Sequence, residues 1–395
     1  MREIRPLVIA PHYKYFIKGL VDATARHIPQ VTVSIRYNPL SELARYIPLP
    51  YFRHVQRYSR KNLVDLTKKP KNVDVKLIPL IYFIPDGRNK RLGDKLAKSL
   101  KKHIQQQETG FNIIHAHFIW PSGYAAAKLS KKFNVPLVLT AHGYDVYDLP
   151  FRDSDWFERV KFTLDNADYV ITVSNSNKRI LTEKLKVPED KVSVIPNGFD
   201  PQLFYPMDKV ETRRELGLPQ DKKILLNVAN LVPVKGHEYL ITAMAKIVKK
   251  RKDVLLVIVG GGPLYNELKE SVRKLGLEKY VILTGPRPHE EIPLWMNAAD
   301  LFVLPSLSEG NPTVMFEALG AGLPFVGTTV GGIPEIITSE EYGVLCPPRN
   351  VDCLIKKILD AFSKKWDRNL ISDYSRKFTW DTIGKQVLEA YYDVS

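Results

Sequence analysis

The chain has 395 residues, 44% of them hydrophobic and 26% charged, with a formal net charge of +15. That is material for about two domains with separate cores, in proportions that exclude disordered and fibrous classes. No run approaches the ~20 apolar residues that a membrane-spanning helix needs. The start, MREIRPLVIAPHY, lacks a long apolar stretch and a small-residue cleavage site, so no signal peptide is read there. The two cysteines, Cys346 and Cys353, are not in a metal-ligand spacing and are expected as free thiols in a cytoplasmic setting. The charge is uneven. Residues 1–200 hold 33 Lys+Arg against 19 Asp+Glu, whereas residues 201–395 hold 25 against 24. The window 36–102 alone holds 17 against 5. Such a region suits a membrane surface, nucleic acid or a phosphorylated substrate, or it is a solvated face.

In chain order, residues 5–10 and 31–35 read as two strands with a helical stretch between them. The first loop, Pro11-His12-Tyr13-Lys14, carries no GxGxxG, which disfavours a nicotinamide-dependent dehydrogenase. Residues 40–66 interleave Tyr46, Ile47, Leu49, Tyr51, Phe52, Val55 and Tyr58 with Arg45, Arg53, Arg57, Arg60 and Lys61. Pro48 and Pro50 break any single helix there. The pattern suits a peripheral contact with an anionic membrane through 36–102, or a lipid-acceptor surface; packing on its own domain is the alternative. Leu92, Leu96, Leu100 and Ile104 then recur every four residues, a helix burying one face and leaving Lys95, Lys98, Lys101 and Lys102 on its other sides.

From here alternation is regular: strands at 111–115, 136–140 and 169–173, helices at 123–133 and 156–166. This is the pattern of βαβ units around a parallel sheet, whose ligands bind beyond the carboxyl ends of the strands. His115 and His117, then His142 with Asp145, then Ser174-Asn175-Ser176 fall at such ends. Asp153-Ser154-Asp155 has the form of an Asp-x-Asp metal motif, but capping of the helix ahead of Trp156 explains it more simply. A strand at 192–196 leads to a proline-marked connection through Pro201 and Pro206, which places the linker near residue 200. A second series follows, with strands at 223–228, 254–259, 281–284, 301–304 and 324–326. The expected domains are 1–200 and 201–377, an α/β arrangement of two doubly wound sheets facing across a cleft. A last helix from 380 to 392 carries Ile383, Val387, Leu388 and Tyr391 on one side and needs a dock; a return of about 378–395 to the first domain would supply it.

Residues 299–336, ADLFVLPSLSEGNPTVMFEALGAGLPFVGTTVGGIPEI, bring most of the chemistry together. A buried strand ends at Pro305; a polar loop follows, and Pro312 opens a helix that stops at Gly320 and Gly322. Glu309 lies on the loop and Glu317 on the helix, and between them lies a helix N-terminus, a site for anions. Upstream, Lys235 precedes another helix and can meet a diphosphate as a point charge. Gly260-Gly261-Gly262 follows a strand where only glycine lets a ligand approach the backbone, and Gly331-Gly332 is similar. A phosphate cradle with two hydroxyl-accepting carboxylates fits a sugar nucleotide.

With these residues, the chain resembles the retaining nucleotide-sugar glycosyltransferases of the two-Rossmann-domain (GT-B) fold, in the large family four, or group 1, class. The matching stretches are IIHAHF at 113–118, LTAHGYDV at 139–146, VSNS at 173–176, VIPNGFD at 194–200, LVPVKG at 231–236, VGGGP at 259–263, 298–328 and VGGIPE at 330–335. The resemblance implies a hexosyltransferase that takes a nucleotide-diphosphate sugar as donor and a glycan or lipid-linked acceptor, with no cofactor, metal or covalent intermediate. Glu317 would accept the ribose hydroxyls and Glu309 a hydroxyl of the sugar, while Lys235 neutralises the leaving diphosphate. Asn230, Gly261, Gly262, Gly310, Asn311, Pro312, Thr313 and Val314 would line the donor, the N–H groups of 311–314 holding its phosphates. His142 would reach over the cleft to the sugar, and His12, Tyr13, His117 and Asp145 would lie on the acceptor side. Retention would come from attack on the same face, the diphosphate oxygen taking the acceptor proton.

Two departures stand out. Many members carry arginine where this chain has Asn230, and a glycine pair where it has Pro11-His12-Tyr13-Lys14. Two other readings compete: a nucleotide-sugar epimerase of the same double-Rossmann build, and a nucleic-acid binder, for which no recognition motif is visible. The reading expects no nucleic-acid partner, and a cytoplasmic protein with peripheral contact at the inner face of the cell membrane. Binding to anionic liposomes, measured by co-sedimentation, should weaken as salt rises; no binding at low ionic strength removes the membrane contact.

Overall fold

The computed structural model describes residues 3–43, 58–82, 86–107 and 110–395. Most of the basic, aromatic run noted above, including Arg45, Tyr46, Ile47, Pro48, Leu49, Pro50, Tyr51, Phe52, Arg53, Val55 and Arg57, lies outside the described residues. Contacts divide the chain into two units: Met1–Gly198 with Trp380–Ser395, and Phe199–Thr379. Among the described residues no helix is long and apolar enough to cross a membrane.

The first unit holds a parallel sheet of seven strands in the order β3-β2-β1-β4-β5-β6-β7. These are Pro6–Ala10 (β1), Val31–Tyr37 (β2), Val73–Pro79 (β3), Ile113–His117 (β4), Leu137–Ala141 (β5), Tyr169–Thr172 (β6) and Val192–Val194 (β7). Alternate side chains feed cores on opposite faces: Leu7 and Ile9 pack in one cluster, Val8 and Ala10 in the other. Helices α1 (Tyr15–Ala25), α2 (Leu92–Gln107), α3 (Tyr124–Phe133) and α4 (Ser154–Asp165) cover the sheet. The period-four leucines of α2 are buried, and Lys95, Lys98, Lys101 and Lys102 are exposed. Asp153 caps α4 by accepting the Trp156 N–H, and Lys90 bonds both Asp153 and Asp155. Those two carboxylates therefore serve the helix start and an ion pair.

The second unit repeats the design with six parallel strands in the order β10-β9-β8-β11-β12-β13. They are Lys223–Val228 (β8), Val254–Val259 (β9), Val281–Gly285 (β10), Leu301–Leu304 (β11), Phe325–Thr328 (β12) and Gly343–Cys346 (β13). Helices α5 (His237–Lys250) and α6 (Thr313–Gly320) follow β8 and β11. Strand order reverses between β1 and β4 in one sheet and between β8 and β11 in the other. In such sheets the loops leaving the two central strands diverge to opposite faces and open a crevice for ligand.

Two strands escape the sequence reading, β3 and β13, and both are edges. An edge strand is buried on fewer sides, so its apolar pattern is weaker. Val73–Pro79 is half-exposed at four consecutive positions, Asp74 to Leu77, and Gly343–Cys346 has only four residues.

The last helix, α7 (Trp380–Asp393), returns to the first unit and lies along α1. A Cβ on Gly19 would sit 2.3 Å from the Trp380 ring, and one on Gly384 would sit 3.1 Å from Ala23, so two glycines let the helices close. The Tyr391 hydroxyl reaches through to His115 Nδ1 at 2.7 Å, while His115 Nε2 meets Thr140 Oγ1 at 2.7 Å. Buried on every side, that imidazole depends on both bonds. Tyr391→Phe, which keeps the ring and removes the hydroxyl, should cost ~1–3 kcal/mol in denaturant unfolding because it orphans a buried nitrogen.

Candidate active site

In the second unit the switch point places the turn after β8 beside the loop after β11. Glu309, 8% exposed, is held there on one oxygen: Lys235 Nζ and Ser306 Oγ each lie 2.6 Å from Oε1. Ser306 is itself fixed, since its carbonyl accepts the Thr328 hydroxyl at 2.6 Å from β12. The Leu307 N–H bonds the Val234 carbonyl at 2.7 Å and the Gly332 N–H bonds the Gly310 carbonyl at 2.8 Å, so the loop is gripped from both flanks.

The glycines explain how these turns come so close. Gly236 has φ +66° and a Cβ there would lie 2.1 Å from the Pro305 oxygen; Gly331 has φ +53° and its Cβ would lie 1.8 Å from the Glu309 oxygen. No side chain fits either place. The triplet after β9 works the same way. A Cβ on Gly260 or Gly262 would strike the Ala229 or Leu231 oxygen, at 1.9 and 2.5 Å, whereas Gly261 faces only Pro286 at 3.4 Å. Gly260 and Gly262 thus also have a packing reason: the lack of a side chain lets one loop close on another.

Helix α6 starts one residue later than the sequence suggests, at Thr313, with Pro312 extended at the capping position. Its N-terminus has no side-chain cap. The Met315 N–H turns back to the Pro312 carbonyl, and among the described residues the Thr313 and Val314 N–H groups meet no acceptor. Those two donors lie at the uncapped helix start where the N–H groups of 311–314 are expected to hold phosphates. Asn230 is exposed in the turn after β8, where its carbonyl accepts the Val232 N–H. Among the described residues Lys235 is the one cation within ion-pair distance of Glu309. Glu317, one turn into α6, is 8% exposed and bonds His289 Nε2 at 2.9 Å. Ser306 and His289 are the two residues of this site that sequence reading passes over. Ser306 sits at the strand end beside the motif; His289 has no local signal at all.

In the first unit, four histidines gather at the carboxyl ends of β1, β4 and β5. His117 Nδ1 and His142 Nε2 are 3.1 Å apart, and the rings of Phe16 and Phe118 lie 5.1 and 4.4 Å from the His142 ring. Two ring nitrogens at that distance share one proton. Burial, then the neighbouring histidines, holds the pKa of both well below the usual range. Burial likewise lowers His12 to about 4 and His115 to about 3. His117, His142 and His12 each keep a buried nitrogen that no described residue bonds.

Two residues expected on the acceptor side have other work. Asp145, 1% exposed, accepts the N–H groups of Ile119 at 2.8 Å, Gly143 at 2.9 Å and His142 at 3.1 Å. It ties the ends of β4 and β5 together and so places His142. The fully buried Tyr13 gives its hydroxyl to Asp22 of α1, and its backbone pairs with Leu63 and Asp65. Neither side chain is open to an acceptor. Among the described residues no group of three or more His, Cys, Asp or Glu side chains gathers as a metal site would.

Sequence comparison places these geometries in a known setting. The model of the glycosyl transferases group 1 family matches residues 208–378, and that of glycosyltransferase family 4 matches 67–203. A Bacillus subtilis protein named as a teichuronic acid biosynthesis glycosyltransferase, TuaC, is 34% identical over 67% of this chain and 64% of its own length. An uncharacterized glycosyltransferase of Methanocaldococcus jannaschii is 32% identical over 71% of this chain and 75% of its own. The crystal structure of Anabaena HepE in complex with UDP-glucose superposes with a TM-score of 0.75 at 20% identity, covering 99% of this chain and 100% of that one. The fold is thus that of two Rossmann-like domains. The chain belongs to the group 1, family 4 glycosyltransferases; the matched models are of transferases, and none is of an epimerase.

The histidine geometry generates a pH test. A ring whose folded pKa lies below ~6.5 takes up a proton on unfolding, so its contribution to stability is lost as pH falls below that value. Ring-nitrogen NMR signals of His117 and His142 should therefore stay those of neutral imidazoles from pH 8 to ~5.5; a midpoint near the ordinary value would contradict the buried pair.

Proposed function

We propose that the enzyme transfers a hexose-type sugar from a nucleotide-diphosphate sugar to a glycan or lipid-linked acceptor with retention of anomeric configuration. The observation that carries this is the shared oxygen of Glu309. A carboxylate anchored by Lys235 and Ser306 stands beside an uncapped helix N-terminus, so hydroxyl acceptor, cation and phosphate cradle come in one rigid group. Lys235 Nζ is placed to divide its protons between Glu309 and an arriving diphosphate, and the Thr313 and Val314 N–H groups take phosphate oxygens. Glu317 accepts ribose hydroxyls. The name of the Bacillus relative and the UDP-glucose bound to HepE support a sugar-nucleotide donor and a glycan-type acceptor.

In the proposed step the bond between the sugar C1 and the diphosphate oxygen breaks through an oxocarbenium-like state. The electron pair stays on the leaving diphosphate, where Lys235 and the helix N-terminus stabilise it. The acceptor oxygen bonds C1 on the same face, and its proton passes to the departing phosphate oxygen. Products are the glycoside and the nucleoside diphosphate. No metal enters this reading, because Lys235 and the N–H groups supply the positive field. His142 is proposed to hydrogen-bond the donor sugar, as the family resemblance implies. The exposed lysines of α2 support a second element, peripheral contact of a cytoplasmic enzyme with an anionic membrane.

Three measurements bear on this. Glu309→Ala should lower kcat by a factor of about 100 or more, the order seen when an electrostatic group at the reacting centre is removed, with the protein still folded by circular dichroism; near-normal turnover would sink the assigned role. Turnover should survive EDTA, and a loss reversed by added metal would replace the metal-free step. Among UDP-, GDP- and ADP-sugars, the true donor should raise the melting temperature, and none doing so would remove the donor assignment.

A further inference from the structure

His289 lies in none of the motifs that define the site, yet it is the side chain bonded to Glu317. It opens the single 3-10 turn His289–Glu291 after Pro288, beyond the end of the edge strand β10. Its Nε2 is 2.9 Å from Glu317 Oε1, and the imidazole is 32% exposed. The buried ring of Phe204 meets it edge-on at 5.4 Å and limits how it can turn. Glu317, Glu290 and Asp200 act on it, and all three are acidic. Burial disfavours the charged ring, but the Glu317 bond and these negative charges outweigh burial, so the pKa is raised.

A glutamate side chain left to itself samples several rotamers, and immobilising one costs up to ~1.5–2 kcal/mol. To receive two adjacent hydroxyls at once, its carboxylate must be turned in advance. The His289 bond occupies one lone pair of Oε1 and leaves Oε2 and the second lone pair of Oε1 open. The bond also spans the sheet, joining the loop after its edge strand β10 to α6, which follows the central β11.

We infer that His289 is the positioning residue of the nucleoside subsite: it orients Glu317 to accept the vicinal 2′- and 3′-hydroxyls of a ribonucleotide, and so sets selection for ribose. This rests on the reading of Glu317 as the ribose acceptor. The charge-assisted form of the bond is the stronger one. It is present below the raised pKa of the ring and is lost as the pH rises through it, leaving a neutral N–H donor.

Isothermal titration of the full-length protein with UDP, GDP and ADP, and with the 2′,3′-dideoxy form of whichever binds, tests this. His289→Phe should weaken the ribonucleotide about tenfold, as expected for one lost hydrogen bond to a charged group, and leave the dideoxy form within about twofold. His289→Gln keeps an N–H donor and should recover most of the loss. The advantage of wild type over His289→Gln should shrink as the pH is raised from 6 to 8.5, a ratio in which titration of the nucleotide itself cancels. Equal loss on both nucleotides, or no loss, overturns the inference, as does a pH-independent ratio. Glu317→Ala separates the two levels. If it abolishes the preference for ribose while His289→Phe retains it, only the role of His289 falls. If wild type shows no ribose preference, or binds none of the three, the ribose reading of Glu317 falls with it.

Discussion

The loops around Glu309 depend on one constraint: a nearly buried carboxylate must be paired and held still. Taking such a group out of water costs several kcal/mol unless it is paired and hydrogen-bonded. Glu309 meets both conditions on a single oxygen, through Lys235 and Ser306. Its other oxygen is left for a ligand. The surrounding backbone follows from holding that arrangement: the turn at Gly236 presses on Pro305, the turn at Gly331 presses on Glu309 itself, and Thr328 pins Ser306. Glu317 repeats the device on α6, with His289 in the place of the lysine. Both carboxylates are thus orientated before a ligand arrives, so little reorganisation is left for binding.

The first unit solves the opposite electrostatic problem. Its strand-end histidines are buried together with no acid bonded to their rings, so they remain neutral and share protons as hydrogen-bond groups. Asp145, the one carboxylate among them, spends its acceptor capacity on three backbone N–H groups. Burial raises its pKa, and those bonds oppose the rise without cancelling it. The result is a wall of polar but uncharged rings, suited to sugar hydroxyls. The two units therefore differ in their strand-end chemistry: paired charges in one, neutral hydrogen-bonding rings in the other.

The family models begin at residue 67 and run through both units, whereas the segment before it, with the first loop and α1, lies outside them. Asn230 is exposed and brings no charge, and among the described residues Lys235 is the cation paired with Glu309.

Much of this was legible in the linear chain because the signals are local. Buried parallel strands are short apolar runs, their helices keep a 3.6-residue period, and β8, β9 and β11 fall where those runs lie. Glu309 and Glu317 belong to one strand–loop–helix unit, so nine consecutive positions carry both. The edge strands β3 and β13 were not legible, since β3 is half-exposed along most of its length and β13 is only four residues long. Nor were the partners. His289 is 28 residues from Glu317, Lys235 is 74 from Glu309 and Tyr391 is 276 from His115. Likewise, only the folded chain sets the carbonyls of Ala229 and Leu231 against Gly260 and Gly262. Sequence by itself determined which residue types stand at strand ends, because backbone periodicity and turn chemistry are properties of neighbours in the chain. Only the tertiary structure decided which of them meet, because burial and pairing are set by side chains brought together from distant segments.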